Sequence, residues 1–341
     1  RNDEAKIMKI CLAQLNPTIG DFEGNYSKAL EAIQEAKNNA CDLIIFPELF
    51  LTGYPPLDLI FKHGFLEKQT KLLSKLAQEA TDENFAIIIG AIGSSKLHSK
   101  RFTNAAFCLA NGKIDKVVSK TLLPSYDVFD EARYFVANED HDCTWKWQGV
   151  RLGLSICEDA WIEAYPSLYN KNPIENLIAC DADLIINISA SPFTLGKIER
   201  RYHLVSKIAK KYQSKFIYLN QVGANDQLVF DGSSFVINEL GERILSLESF
   251  QEQVAFYDTE KSNYPKLETK TEINKIHDAC VLGIKDYIKK TSFEKVVLGL
   301  SGGIDSAVVA CLATEALGSE NVCGIMMPTV YTSDDSLADA K

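Results

Sequence analysis

The chain has 341 residues, enough for about two domains. Its 46% hydrophobic and 24% charged side chains exclude both a disordered polymer and a small disulfide-stapled scaffold. With 36 Lys and Arg against 46 Asp and Glu, the net charge of −10 argues against binding along a phosphate backbone, so no nucleic acid is expected as a partner.

No apolar run approaches the roughly 18 residues of a membrane span, so no membrane is expected, and the predicted location is cytoplasmic. Nine cysteines show neither C-x-x-C pairs nor a framework spacing and are expected as reduced thiols, without structural zinc. Most of them, Cys280, Cys311 and Cys323 included, sit in or beside apolar runs and read as small packing residues.

In chain order, short β-rich apolar runs alternate with helical periodicity, which predicts an α/β fold. The first strand is Ile7 to Gln14, followed by a helix near Tyr26 to Asn38, a strand Asp42 to Phe46, a helix Leu66 to Ala80 and a strand Phe85 to Ala91. Arg101 to Leu109 and Lys113 to Lys120 flank Asn111-Gly112, a pair suited to the positive φ angles of a hairpin turn. The alternation resumes with strand Val150 to Ile156, helix Pro173 to Cys180, strand Leu184 to Ser189, helix Lys197 to Tyr212 and strand Phe216 to Asn220. A second hairpin, Leu228 to Ile237 with Arg243 to Leu247, is placed around Gly241.

The polar segment 259–271 contains Pro265 and lacks periodicity, so it reads as a linker between a domain of residues 1–258 and a second over 272–341. In the latter, helix Glu272 to Lys290 leads to strand Lys295 to Leu300, a Gly-rich loop, helix Ser306 to Leu317 and strand Val322 to Met327. Two parallel strands need more cover than this, so the segment reads as the N-terminal part of an incomplete domain.

Three reactive residues follow predicted strands, where α/β sheets place their ligands: Glu48 after Phe46-Pro47, Lys120 after Val117-Val118-Ser119, and Cys157 after Leu154-Ser155-Ile156. A thiol attacks an amide carbonyl as thiolate, and so needs a base and a nearby cation. A lysine ammonium in a dry pocket also stabilises the developing oxyanion. Taken singly, Glu48 reads rather as a helix or turn cap, Lys120 as a snorkelling surface residue and Cys157 as a core thiol.

Phe46-Pro47-Glu48-Leu49, Lys120-Thr121-Leu122-Leu123-Pro124 and Ser155-Ile156-Cys157-Glu158-Asp159 resemble the three signature segments of the nitrilase superfamily. The resemblance implies a nitrilase-like αββα four-layer sandwich, with Glu48 as base, Lys120 as oxyanion stabiliser and Cys157 as nucleophile. A further acid assists in that family. Glu131 is the candidate, although Asp130-Glu131-Ala132-Arg133 also reads as a solvated turn. Leu51 to Pro56, Leu123 to Glu131 and Ser189 to Lys197 resemble the glutaminase branch attached to NAD synthetases. That likeness implies a glutamine pocket lined by Tyr54, Tyr126, Glu158, Ser191 and Lys197. Trp161 reads either as a pocket wall or as a packed indole.

Leu298-Gly299-Leu300-Ser301-Gly302-Gly303-Ile304-Asp305-Ser306 follows a strand and opens a helix. Successive N–H groups and serine hydroxyls at such a junction form a nest for phosphate oxygens. The Walker lysine and its spacing are missing, which disfavours γ-phosphoryl transfer. Ser301, Gly302, Gly303, Asp305 and Ser306 resemble the pyrophosphate loop of the N-type ATP pyrophosphatases, whose domain is doubly wound and Rossmann-like. The likeness implies ATP as substrate and Mg²⁺ held in part by Asp305. Gly324 to Thr329 and Tyr331 to Ser336 are similar to the NAD synthetase family.

Jointly, the two resemblances imply hydrolysis of glutamine at one site and, at the other, adenylation of nicotinate adenine dinucleotide for attack by the ammonia. A homo-oligomer is implied by the same likeness. The alternatives are a stand-alone amidase or carbamoylase and a catalytically silent ATP-binding scaffold subunit.

Overall fold

The computed structural model describes residues 7–95, 102–162, 164, 167–265, 267–268 and 270–341. Arg101, at the start of the first predicted hairpin, lies outside them.

Two six-stranded mixed sheets form the first unit. One is built from β1 (Lys9–Gln14), β2 (Leu43–Ile45), β3 (Ala86–Ser94), β4 (Phe102–Ala110) and β5 (Lys113–Ser119). The other holds β6 (Thr144–Trp147), β7 (Val150–Ile156), β8 (Leu184–Ser189) and β9 (Lys215–Asn220). A short pair, β10 (Val222–Asn225) and β11 (Leu228–Asp231), precedes β12 (Phe235–Ile237), β13 (Arg243–Ser246) and β14 (Gln253–Asp258). The sheet orders are β14-β1-β2-β3-β4-β5 and β13-β12-β9-β8-β7-β6. β1, β2 and β3 run parallel in the first sheet, as do β7, β8 and β9 in the second.

The period-2 alternation of each strand decides what it faces. Ile10 and Leu12, Leu43 and Ile45, and Ala106 and Cys108 meet Leu152, Leu154, Ile186 and Ile188 of the other sheet in one core. Their chain neighbours Cys11, Ala13, Ile44, Ile87, Ile89 and Phe107 turn the opposite way, against helices. Each fully buried aliphatic side chain of this kind contributes about 1.5–3 kcal/mol.

Helices complete the sandwich. On α1 (Phe22–Asn38), Ala29, Ala32, Ile33 and Ala36 form the buried stripe, and α2 (Phe65–Glu79) adds Leu73, Leu76 and Ala77. α1 begins earlier than its apolar pattern suggests because the Asp21 side chain accepts from the Gly24 N–H and caps it. After the short α3 (Glu131–Tyr134), α4 (Pro173–Ala179) and α5 (Lys197–Tyr212) bury Leu177, Val205, Ile208 and Ala209 in the core of the second sheet. The order is helix, sheet, sheet, helix, as expected.

Three strands escaped the sequence reading: β6, β10 and β14. The last pairs antiparallel with β1 from Lys9↔Asp258 to Gln14↔Gln253 and closes the edge of the first sheet. The predicted strand Leu228 to Ile237 is in fact two. It breaks where Gly232 and Ser233 take φ values of 64° and 52°, and the Gln14 amide fills the space of a Cβ at Gly232. Only β12 then pairs with β13.

Residues to Val222 with Phe230–Glu268 form this unit; Gly223–Val229 with Thr269–Lys341 form a second. The second contains α6 (Glu272–Lys290), β15 (Val296–Gly299), α7 (Ile304–Leu317), β16 (Val322–Ile325) and α8 (Asp334–Asp339). β15 and β16 pair in parallel, Val296↔Val322 to Gly299↔Ile325. Asp286 and Lys290 on α6 bind the 223–229 segment: the Ala224 N–H donates to Asp286 Oδ2 at 2.7 Å, and Lys290 Nζ donates to Ala224 O at 2.9 Å. Cys280, Cys311 and Cys323 are exposed and are not packing residues, because this two-stranded sheet leaves those faces uncovered.

Candidate active site

Beyond the C-terminal ends of the parallel strands, both sheets contribute polar side chains to one buried cluster. Glu48 follows β2 on a loop that lies directly on β3. A Cβ added at Gly90 would stand 2.3 Å from Pro47 O and 2.3 Å from Leu49 N, so only glycine admits the loop so close. Lys120 follows β5. Cys157 follows β7 and opens a 3₁₀ turn, Cys157–Ala160, with its own φ at 44°. A left-handed conformation is costly for a residue with a Cβ and is commonly kept at functional sites.

Glu48 and Lys120 are wholly buried. Lys120 Nζ donates to Glu48 Oε1 at 2.7 Å and to Glu131 Oε1 at 2.7 Å. Asn104 Nδ2 donates to Glu48 Oε1 at 2.6 Å, and the Ala190 N–H, from the other sheet, donates to Glu48 Oε2 at 2.7 Å. Both carboxylate oxygens of Glu48 are thereby fixed. An ammonium has three N–H bonds, so Lys120 keeps one beyond those given to the two acids.

Electrostatics tie Cys157 to this cluster. Burial pushes its thiol well above the ordinary range, the charge of Glu48 adds to that, and Lys120 opposes it. The resting sulfur is accordingly protonated, and a base must take its proton as it attacks. For Lys120, burial would lower the pKa, but Glu131 and Glu48 outweigh it and hold the ammonium charged. Burial pushes the Glu131 carboxyl up to about 7 against the pull of Lys120. Glu131 is thus no solvated turn acid: it is 4% exposed, and among the described residues its Oε2 has no hydrogen-bond partner.

The residues expected around glutamine are buried or half-buried. Glu158 follows Cys157 in the chain and accepts from Tyr126 OH and Tyr169 OH, both at 2.8 Å. Burial raises its pKa, and the two hydroxyls oppose that rise. Lys197, at the start of α5, is half-buried, with Nζ 5.7 Å from the Trp161 ring centroid and 5.9 Å from that of Phe129. Burial lowers its pKa and Arg201 adds to the effect, while Cys157, Asp231 and Glu158 oppose it. Ser191, buried past β8, is held by its N–H on Asn220 Oδ1 at 2.8 Å. The Tyr54 hydroxyl donates to Glu131 Oε1 at 2.9 Å. Trp161 is 4% exposed and walls Lys197.

Asn104, Ala190 and Tyr169 went unseen in sequence, and Asp159 was seen only as part of the segment around Cys157. Asn104 is hidden inside the apolar run of β4, and Ala190 acts only through its backbone. Tyr169 sits in an aperiodic polar stretch with no motif around it.

A family model for carbon-nitrogen hydrolases matches residues 9–264, three quarters of the chain. The chain belongs to the carbon-nitrogen hydrolase family. A model for NAD synthase matches residues 276–341. The chain is 41% identical to the glutamine-dependent NAD(+) synthetase of Synechocystis sp., over 97% of this chain and 61% of the relative. Against the enzyme of that name from Thermotoga maritima the identity is 38%, over 98% and 63%. The chain therefore spans a little over three fifths of the length of these curated relatives. Among solved structures, a glutamine-dependent NAD+ synthetase from Acinetobacter baumannii in complex with ADP superposes with a TM-score of 0.90 at 34% identity, covering 98% of this chain and 62% of that one. An amidase from Nesterenkonia sp., at 23% identity and a TM-score of 0.64, shares the fold over 74% of this chain.

In the second unit the Ser301 to Ser306 loop bridges β15 and α7. The Gly303 N–H donates to Ser301 Oγ at 3.2 Å, Ser306 Oγ donates to Gly303 O at 2.9 Å, and the two hydroxyl oxygens lie 3.1 Å apart. Gly302 has φ 80°, and a Cβ there would meet Ser336 O at 2.3 Å. Among the described residues no side chain caps α7. Its first N–H groups are therefore open to an anion.

Proposed function

We propose that the first unit hydrolyses glutamine and that the chain serves glutamine-dependent NAD synthesis. The observation that carries this is Lys120 held at 2.7 Å from both Glu48 and Glu131, in a buried cluster that includes Cys157. Glu158 and Lys197 present opposite charges suited to the α-ammonium and α-carboxylate of an amino acid. In this reading Tyr54, Tyr126 and Ser191 complete that pocket, and Tyr54 also orients the acid Glu131.

Cys157 Sγ attacks the side-chain amide carbon and its proton passes to Glu48. The remaining Lys120 N–H donates to the oxyanion that forms. The C–N bond breaks as the amide nitrogen takes the proton from Glu48 and leaves as ammonia, with a thioester on Cys157. Water then attacks, giving a proton to Glu48. The C–S bond breaks, glutamate departs and the sulfur regains its proton.

At the second site, the Ser301 to Ser306 nest holds phosphate oxygens of ATP. A carboxylate oxygen of nicotinate adenine dinucleotide attacks the α-phosphorus, pyrophosphate leaves, and ammonia then displaces AMP. Mg²⁺ would neutralise phosphate charge there. The exposed Asp305 beside the nest fits this ion, which takes one or two carboxylates together with phosphate oxygens.

Replacing the nucleophile is the test. Cys157→Ala should lower ammonia release from glutamine by about three orders of magnitude or more, measured by coupled glutamate dehydrogenase assay. Unchanged release would overturn the glutaminase reading. Formation of ADP instead of AMP and pyrophosphate from MgATP, glutamine and nicotinate adenine dinucleotide by the full-length protein would overturn the adenylation reading.

A further inference from the structure

Lys120 hangs from the first sheet and Cys157 from the second, so their separation depends on how the two loops are joined. Where β5 ends at Ser119 the chain leaves its ladder, and the next N–H groups need new acceptors, since a buried unpaired N–H is costly. Asp159 supplies them. Its Oδ1 accepts from the Thr121 N–H at 3.0 Å and from the Leu122 N–H at 2.7 Å, directly after Lys120. Its Oδ2 accepts from the Ile156 N–H at 3.0 Å, directly before Cys157. The side chain is 2% exposed and faces away from water.

We propose that Asp159 is a positioning residue: its carboxylate straps the backbone beside Lys120 to the backbone beside Cys157 and so sets the distance between ammonium and thiol. This rests on the glutaminase reading above. A carboxylate is the only common side chain with two acceptor atoms and no donor. Asparagine would keep one oxygen for Thr121 and Leu122 but turn an NH₂ toward the Ile156 N–H, releasing the Cys157 turn alone.

Asp159→Asn is compared with the wild type per folded molecule. We expect kcat for glutamine hydrolysis to fall about 100-fold, the scale of a 1 Å misplacement, with KM within about threefold. Alkylation of Cys157 by iodoacetamide, followed by peptide mass spectrometry, should slow in parallel. A purely structural brace would lower the melting temperature and leave both rates per folded molecule unchanged, and that result overturns the proposal.

Should the variant not fold, hydrogen exchange of the wild type decides. A common protection of the Thr121, Leu122 and Ile156 amides supports the strap, and free exchange at Thr121 and Leu122 with Ile156 still protected overturns it. Cys157→Ala run alongside separates the two readings. Hydrolysis surviving in that variant sinks the glutaminase assignment, whereas full activity in Asp159→Asn beside an inactive Cys157→Ala sinks only the strap.

Discussion

The two candidate sites solve opposite problems. Around Glu48, Lys120, Glu131 and Cys157, ionisable groups are withdrawn from water, and one ammonium is shared between two acids. The Ser301 to Ser306 loop is exposed or half-buried, and its polarity comes from backbone N–H groups and hydroxyls. A site that makes and breaks covalent bonds gains from fixed charges in a dry setting. One that cradles phosphate needs donors on a tight bend and can stay wet, since its ligand brings the charge.

The largest effect that would sharpen this contrast comes from Lys120→Met. It leaves Glu48 and Glu131 buried without their shared cation, and breaking such a pair costs about 3–5 kcal/mol. Chemical denaturation should show that loss, and glutaminase activity should fall by about 100-fold or more with the oxyanion donor gone. A variant of wild-type stability would mean that the buried acids do not depend on the lysine.

Gly302→Ala is the counterpart in the second unit. Its left-handed φ alone costs about 1–2 kcal/mol for alanine, and the added Cβ has no room beside Ser336. We expect ATP affinity to weaken about tenfold in a calorimetric titration, with Cys157 alkylation unchanged. Affinity equal to wild type would show that the nest tolerates a side chain there.

The smallest effect is a pH dependence. Burial raises the folded pKa of Glu131 to about 7, from an ordinary 4.5. A carboxyl whose pKa rises on folding stabilises the fold fully below its unfolded value, and that stability is lost as pH rises through the folded one. Relative to Glu131→Gln, the wild-type melting temperature should therefore decline between about pH 5 and about pH 8. Parallel curves would place the titration elsewhere.

How much of this was legible in sequence follows from the same contrast. Glu48, Lys120 and Cys157 could be placed because each ends a strand whose apolar run is plain; the alternation of those runs gave the α/β class, and the order of the layers came from the nitrilase resemblance. The phosphate nest is contiguous, so its whole pattern is local. The wiring between segments was hidden. Asn104 is a polar residue in an apolar strand, Ala190 offers a backbone N–H, and Asp159 acts on amides 37 and 38 residues away in the chain. β14 was missed because Gln253–Asp258 is largely half-buried and gains strand character from β1, some 240 residues earlier.

Position 90 carries a last lesson. The shelf that presents the proposed base rests where β3 bears only a hydrogen, and any larger group would shove that shelf outward. An inventory of functional groups would omit this residue altogether. Anyone redesigning this candidate site should hold it fixed as firmly as the sulfur, because the acid stands where it does through a blank left for it 42 residues downstream.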